Sequence, residues 1–150
     1  MALVIEGTER IAAPIDKVWA GLNDPDILKA SIPGCQTLEK KSDKELAATV
    51  VLKIGPIKAT FGGEVKLSNL KPPRSYTISG EGKGGIAGFA KGGADVTLAE
   101  DGPDATILSY AAKADVGGKM AQLGSRLILS TSKKLAGEFF SSFGQRVAKS

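Results

Sequence analysis

A chain of 150 residues, 42% hydrophobic and 24% charged, is long enough to bury one substantial core and too apolar for wholesale disorder. It contains no histidine and one cysteine, Cys35, which excludes histidine-dependent triads, an internal disulfide and an ordinary zinc site. The net charge of +4 gathers at the end: from Gly117 onward six basic residues meet one acidic residue, Glu138, a net +5 that leaves about −1 for the first 116, and no nucleic-acid motif accompanies it.

Residues 2–11 alternate, with Leu3, Ile5, Gly7, Glu9 and Ile11 on one face, and predict a first strand. Pro14 sets the backbone for a helix start, and Val18, Trp19 and Leu22 share an apolar stripe. Asn23-Asp24-Pro25 stops that helix and starts a second, capped by Asp24, with Ile27 and Leu28 inward; Ile32-Pro33-Gly34 ends the pair. From Cys35 to Val116 the period is two. Leu46, Ala48, Val50, Leu52 and Ile54 form one face, then Gly55-Pro56 turns the chain. Ile57, Ala59, Phe61, Gly63, Val65 and Leu67 follow as the cleanest half-buried strand. Tyr76 and Ile78 begin another strand after Lys71-Pro72-Pro73, and Ala94, Val96 and Leu98 resume the alternation beyond a glycine-rich stretch at 80–93. A turn at Glu100–Asp104 precedes the last strand, carrying Thr106, Leu108, Tyr110, Ala112, Ala114 and Val116. Residues 118–148 then place Met120, Leu123, Leu127, Leu135, Phe139, Phe143 and Val147 at helical spacing, predicting one helix of about 45 Å.

The expected fold is α+β: a seven-stranded curved antiparallel sheet wrapped around a long C-terminal helix, with two short helices after the first strand and a single domain over 1–150. Its inner face carries Gly7, Ala48, Ala59, Gly63, Ala94, Ala112 and Ala114 among larger aliphatics, less bulk than a filled core wants. An apolar pocket is therefore expected, lined by Val50, Leu52, Phe61, Val65, Tyr76, Ile78, Phe89, Leu108, Tyr110, Leu123 and Leu127. The alternative is that the small residues pack against the helix backbone. Tyr76 and Tyr110 could offer hydroxyls to a polar headgroup or reach backbone groups instead.

No catalytic residue is expected, because Glu81 and Asp115 lie in strands with nothing to pair them as acid and base. The glycines at 80–93 are followed by strand and not by a helix N-terminus, which argues against phosphate binding; they suit a bent hairpin or a lip at the pocket mouth with Phe89 at its tip. Cys35 is read as a small half-buried apolar residue. Lys133, Lys134 and Arg146 accompany Phe139, Phe140 and Phe143, a pattern that serves a peripheral membrane contact, a partner, or simply a core-facing helix with a solvated back. With no leader-like segment and no apolar run of ~18 residues, a cytoplasmic location is expected, at most peripheral on the inner face of the membrane.

Several blocks stand in order: Ala13-Pro14 with Val18-Trp19, Leu22-Asn23-Asp24-Pro25, Ile32-Pro33-Gly34-Cys35, residues 53–59 (KIGPIKA), residues 80–85 (GEGKGG) and residues 88–92 (GFAKG). Together they resemble the carbon monoxide dehydrogenase CoxG family, of the START-like (SRPBCC, helix-grip) superfamily, over essentially the whole chain. The resemblance implies a non-enzymatic accessory role beside a carbon monoxide dehydrogenase or related molybdenum hydroxylase. It also implies association with the cytoplasmic membrane and a quinone, menaquinone or ubiquinone, as a carried ligand with no covalently bound cofactor. Many members continue into an apolar C-terminal tail, and these 150 residues end at Ser150 without one. Two rivals stand beside this reading: a small enzyme of the cyclase or dehydratase type using Tyr76, Tyr110 or Asp115, and a structural adaptor with a filled core.

Overall fold

A computed structural model describes residues 1–149. Strand β1 (Ala2–Ile11) leads into helices α1 (Ile15–Leu22) and α2 (Pro25–Ser31). Six strands follow: β2 (Cys35–Ser42), β3 (Glu45–Ile54), β4 (Ile57–Lys71), β5 (Ser75–Lys83), β6 (Phe89–Glu100) and β7 (Thr106–Gly117), and helix α3 (Ser125–Lys149) is the last element among the described residues. The strands form one curved antiparallel sheet in the order β1-β7-β6-β5-β4-β3-β2, the meander expected from short connections.

Local chemistry explains the element ends. The Asp24 carboxylate accepts from the backbone N–H of Asp26 (2.9 Å) and Ile27 (3.4 Å), with Pro25 in the first turn of α2 where its missing N–H costs nothing. The β3–β4 hairpin turns at Gly55, whose φ of +57° favours glycine.

The C-terminal helix differs from the expectation of one run from 118. A short 3-10 turn, Lys119–Leu123, is set off from α3 by Gly118 (φ +79°) and Gly124 (φ +92°), which no right-handed helix can include. The helix proper has 25 residues, about 37 Å instead of about 45 Å.

Two packed regions sit at opposite ends of the sheet's concave face. One joins Ile11, Val18, Leu22, Tyr76, Leu98, Leu108, Phe143 and Val147, with Trp19 edge-on to Tyr76 at 5.4 Å. Here α1 approaches α3 so closely that a Cβ on Gly21 would lie 2.8 Å from the Val147 methyl, so glycine is required by contact and not by torsion. The other joins Leu3, Ile54, Phe61, Ala87, Val116, Met120 and Ile128. Among the described residues, no helix is long and apolar enough to cross a membrane.

Candidate ligand cavity

Between the two packed regions lies a cavity of about 680 Å³, within the usual range of small-molecule sites. Strand register explains its position. Ala114, Gly92 and Gly80 stand side by side across β7, β6 and β5, followed by Val65 of β4. The adjacent inward row runs Ala90, Gly82, Gly63 and Ala48 across β6 to β3, and Ala112 and Ala94 pair in the row on the other side. Glycines and alanines thus share one patch of the inner face, and no side chain there is long enough to reach the helix. Bulk returns at the patch borders with Val50, Leu52, Ile54, Phe61, Val65, Ile78 and Val116.

The roof repeats the pattern. Ile128, Thr131, Ser132, Leu135, Ala136 and Phe139 of α3 line the cavity, spaced three or four apart on a single helical face. Thr131, Ser132 and Ala136 stand among them as small residues opposite the glycine and alanine rows. Small side chains on both walls leave the space, so the filled-core alternative does not describe this protein.

Five of the eleven residues expected to line the pocket do so: Val50, Leu52, Phe61, Val65 and Ile78. The other six lie elsewhere. Tyr76 and Leu108 share the inner face but belong to the packed region beneath Phe143, where both are buried. Tyr110 stacks on Phe140 (5.5 Å between rings) beside that region. Leu123 packs against the region around Met120, and Leu127 lies over the Gly55 turn. Phe89 points away from the cavity: the 3-10 turn Gly85–Ala87 leaves the next residue, Ala90, facing inward, and the Phe89 ring lies across Gly117 with 44% of its surface exposed.

Thr131 and Ser132 are the cavity residues that a search for large apolar side chains passes over. Counting back from Leu135 by four and three residues leads to them, so the helical period itself carries the signal.

The polar candidates for enzyme chemistry do not face the cavity. Asp115 pairs with the N-terminal ammonium at 3.2 Å on the outer surface, its side chain 72% exposed. Burial raises the Tyr76 phenol above its ordinary value, keeping it neutral. Burial also raises the Cys35 thiol, which the nearby Lys29 charge lowers by less, and its Sγ donates to the Thr37 carbonyl (3.3 Å). A second concavity of about 570 Å³, on the outer face over Ala47, Thr49 and Gly62, is bordered by the exposed pairs Lys41–Glu64 (3.8 Å) and Lys83–Glu81 (3.5 Å).

The phenylalanines of α3 are committed to the core: Phe143 is fully buried, and Phe139 and Phe140 pack against its region. Any lipid contact by this helix therefore rests on its basic residues alone. Exposed apolar surface appears instead at the opposite end, where Ile86, 84% exposed, caps the β5–β6 connection. Lys53, Lys58, Lys83 and Lys119 are exposed on the segments that meet there through Ile54, Ala87 and Met120.

The model of the carbon monoxide dehydrogenase CoxG family matches residues 7–148. A solved conserved protein from Geobacillus kaustophilus is 30% identical, with a TM-score of 0.92, over 98% of this chain and 96% of that one. A START superfamily protein from Mycobacterium smegmatis (14% identical, TM-score 0.74, 97% of each chain) shares the fold. So does the ZhuI aromatase/cyclase from a Streptomyces species (12% identical, TM-score 0.73, 98% of this chain and 94% of that one). Among curated proteins, none matches the sequence. The architecture is that of the START-like helix-grip domains.

Proposed function

The chain belongs to the carbon monoxide dehydrogenase CoxG family, and from that premise we propose that it is a binding accessory protein that carries an isoprenoid quinone, menaquinone or ubiquinone. The carried molecule passes between the cytoplasmic membrane and a carbon monoxide dehydrogenase or related molybdenum hydroxylase. Redox chemistry belongs to that partner, and this chain supplies an apolar shelter and a docking surface.

The observation that carries the reading is the cavity of about 680 Å³ held open by facing patches of small residues. Apolar area removed from water there contributes about 25 cal/mol per Å² to holding a cargo. A cyclase-type activity has less behind it, since Tyr76, Tyr110 and Asp115 do not line the cavity.

Exchange of an apolar cargo with a bilayer calls for a surface that rests on lipid. The Ile86 tip with Lys53, Lys58, Lys83 and Lys119 suits an anionic membrane: an apolar side chain enters the interface while each lysine near the surface adds about 1 kcal/mol. Glu81, paired with Lys83, offsets part of that charge.

Native mass spectrometry of the protein purified from membrane-containing lysate tests the reading. An adduct whose mass and extracted absorbance match a quinone is expected, together with saturable binding of added quinone. Absence of both would overturn it.

A further inference from the structure

The cavity is not uniformly apolar, and its exceptions sit together. Side chains of the strand residues that border it are aliphatic, aromatic or absent; Glu81, Lys91 and Lys113 alternate with the inward positions Gly82, Gly92 and Ala112, so they border it through backbone. Thr131 and Ser132, adjacent on the roof, are therefore the lining residues whose side chains carry hydrogen-bonding groups.

Neither hydroxyl has a hydrogen-bond partner among the described residues. The contrast with Ser130 is direct: its Oγ donates to the Leu127 carbonyl at 3.0 Å, the usual way a helical serine satisfies itself. Folding gives no reason for two free hydroxyls here. Serine and threonine are poorer helix formers than alanine, and a valine or alanine would complete the apolar stripe of α3.

Water can satisfy the two groups while the cavity is empty of cargo. A hydrocarbon entering the cavity removes that water and leaves both hydroxyls only the carbonyls of their own helix to turn to, as Ser130 does, whereas a cargo with an oxygen at the same place offers each a partner where it stands. We propose that Thr131 and Ser132 bind the oxygen-bearing head of the carried molecule beneath the middle of α3. They would thereby select apolar compounds that have a carbonyl acceptor over plain hydrocarbons of the same shape.

This inference rests on the carrier reading above and adds the place and chemistry of head recognition. The test compares 2-methyl-1,4-naphthoquinone with 2-methylnaphthalene by equilibrium dialysis against the wild-type protein and the double variant Thr131→Val/Ser132→Ala. The wild type should bind the quinone more tightly than the hydrocarbon. The double variant should lose about fivefold to twentyfold in quinone affinity while its hydrocarbon affinity holds or rises. Thr131→Ser, which keeps a hydroxyl, should remain within about twofold of wild type. Circular dichroism and thermal melting of all variants check that each is folded. Equal quinone affinity in wild type and the double variant, or an equal loss for both ligands, would overturn the hydroxyl assignment and leave the cavity reading standing. A wild type that bound neither compound would overturn both.

Discussion

Gly82 of β5 lies directly opposite Gly63 of β4 in register, and a Cβ built on Gly82 would meet no atom within 4 Å. Its φ is not in the left-handed region, so the backbone accepts any L-residue. The emptiness above this pair is thus made by residue choice and not by backbone strain. Gly82→Leu should fill part of the cavity, and folding stability should hold or rise by about 0.4–1 kcal/mol because the unfolded chain loses freedom. Binding of an apolar ligand should fall by at least about tenfold. Chemical denaturation paired with a ligand titration reads both effects; a stable variant that binds normally would show that the cargo does not occupy this space.

Tyr76 supplies a pH signature independent of cargo. Its folded pKa is raised by burial, whereas the unfolded phenol ionises near 10. A raised folded value means that the stability it contributes is fully present below about pH 10 and is lost as pH rises above it, by up to about 1.4 kcal/mol per pH unit. The stability of wild type relative to Tyr76→Phe should therefore be constant to about pH 10 and fall above it. Denaturant titrations between pH 8 and 11 measure this, and a flat difference throughout would mean that the phenol titrates normally in the fold.

The alternation of strand residues makes the inner face legible: Val50, Leu52, Phe61, Val65 and Ile78 line the cavity as their parity requires. Parity assigns a side to each residue but not a height along the strand. Tyr76 and Leu108 share the face yet stand where α1 and Phe143 close over the sheet, and nothing local in their strands records where a helix distant in sequence will pack. Phe89 departs from the expectation for a different cause, since the 3-10 turn before it sets which residue of β6 first faces inward. Polarity by itself suggests a solvent-facing place for Thr131 and Ser132, but the helical period puts them on the roof.

Thr106 is fully buried, and its hydroxyl donates to the Ala13 carbonyl at 2.8 Å, tying the start of β7 to the link between β1 and α1. Thr106→Val keeps the shape and removes the donor, leaving a buried acceptor without it. The expected cost is about 1–3 kcal/mol, seen as a lower Tm. Ligand affinity should stay within about twofold, because Thr106 does not line the cavity. A parallel loss of binding in the folded variant would show that the two regions are coupled.

The lipid-facing end can be tested apart from cargo. Ile86 is 84% exposed and does not line the cavity, so Ile86→Ser should leave folding and ligand affinity unchanged. Membrane attachment has two separable components here, an apolar one from Ile86 and an electrostatic one from Lys53, Lys58, Lys83 and Lys119. Vesicles of phosphatidylcholine with about one quarter phosphatidylglycerol should sediment the wild type, and pure phosphatidylcholine should do so several-fold less well. Ile86→Ser should weaken binding to the anionic vesicles by at least about threefold, since burying one aliphatic side chain contributes of order 1 kcal/mol or more. Raising the salt should weaken wild type and variant alike, because screening acts on the lysines. Equal sedimentation with both vesicle types would remove the electrostatic component from all of these lysines. A variant indistinguishable from wild type on anionic vesicles would move the membrane contact to the basic back of α3, where Lys133→Glu and Lys134→Glu would then be the changes that abolish it.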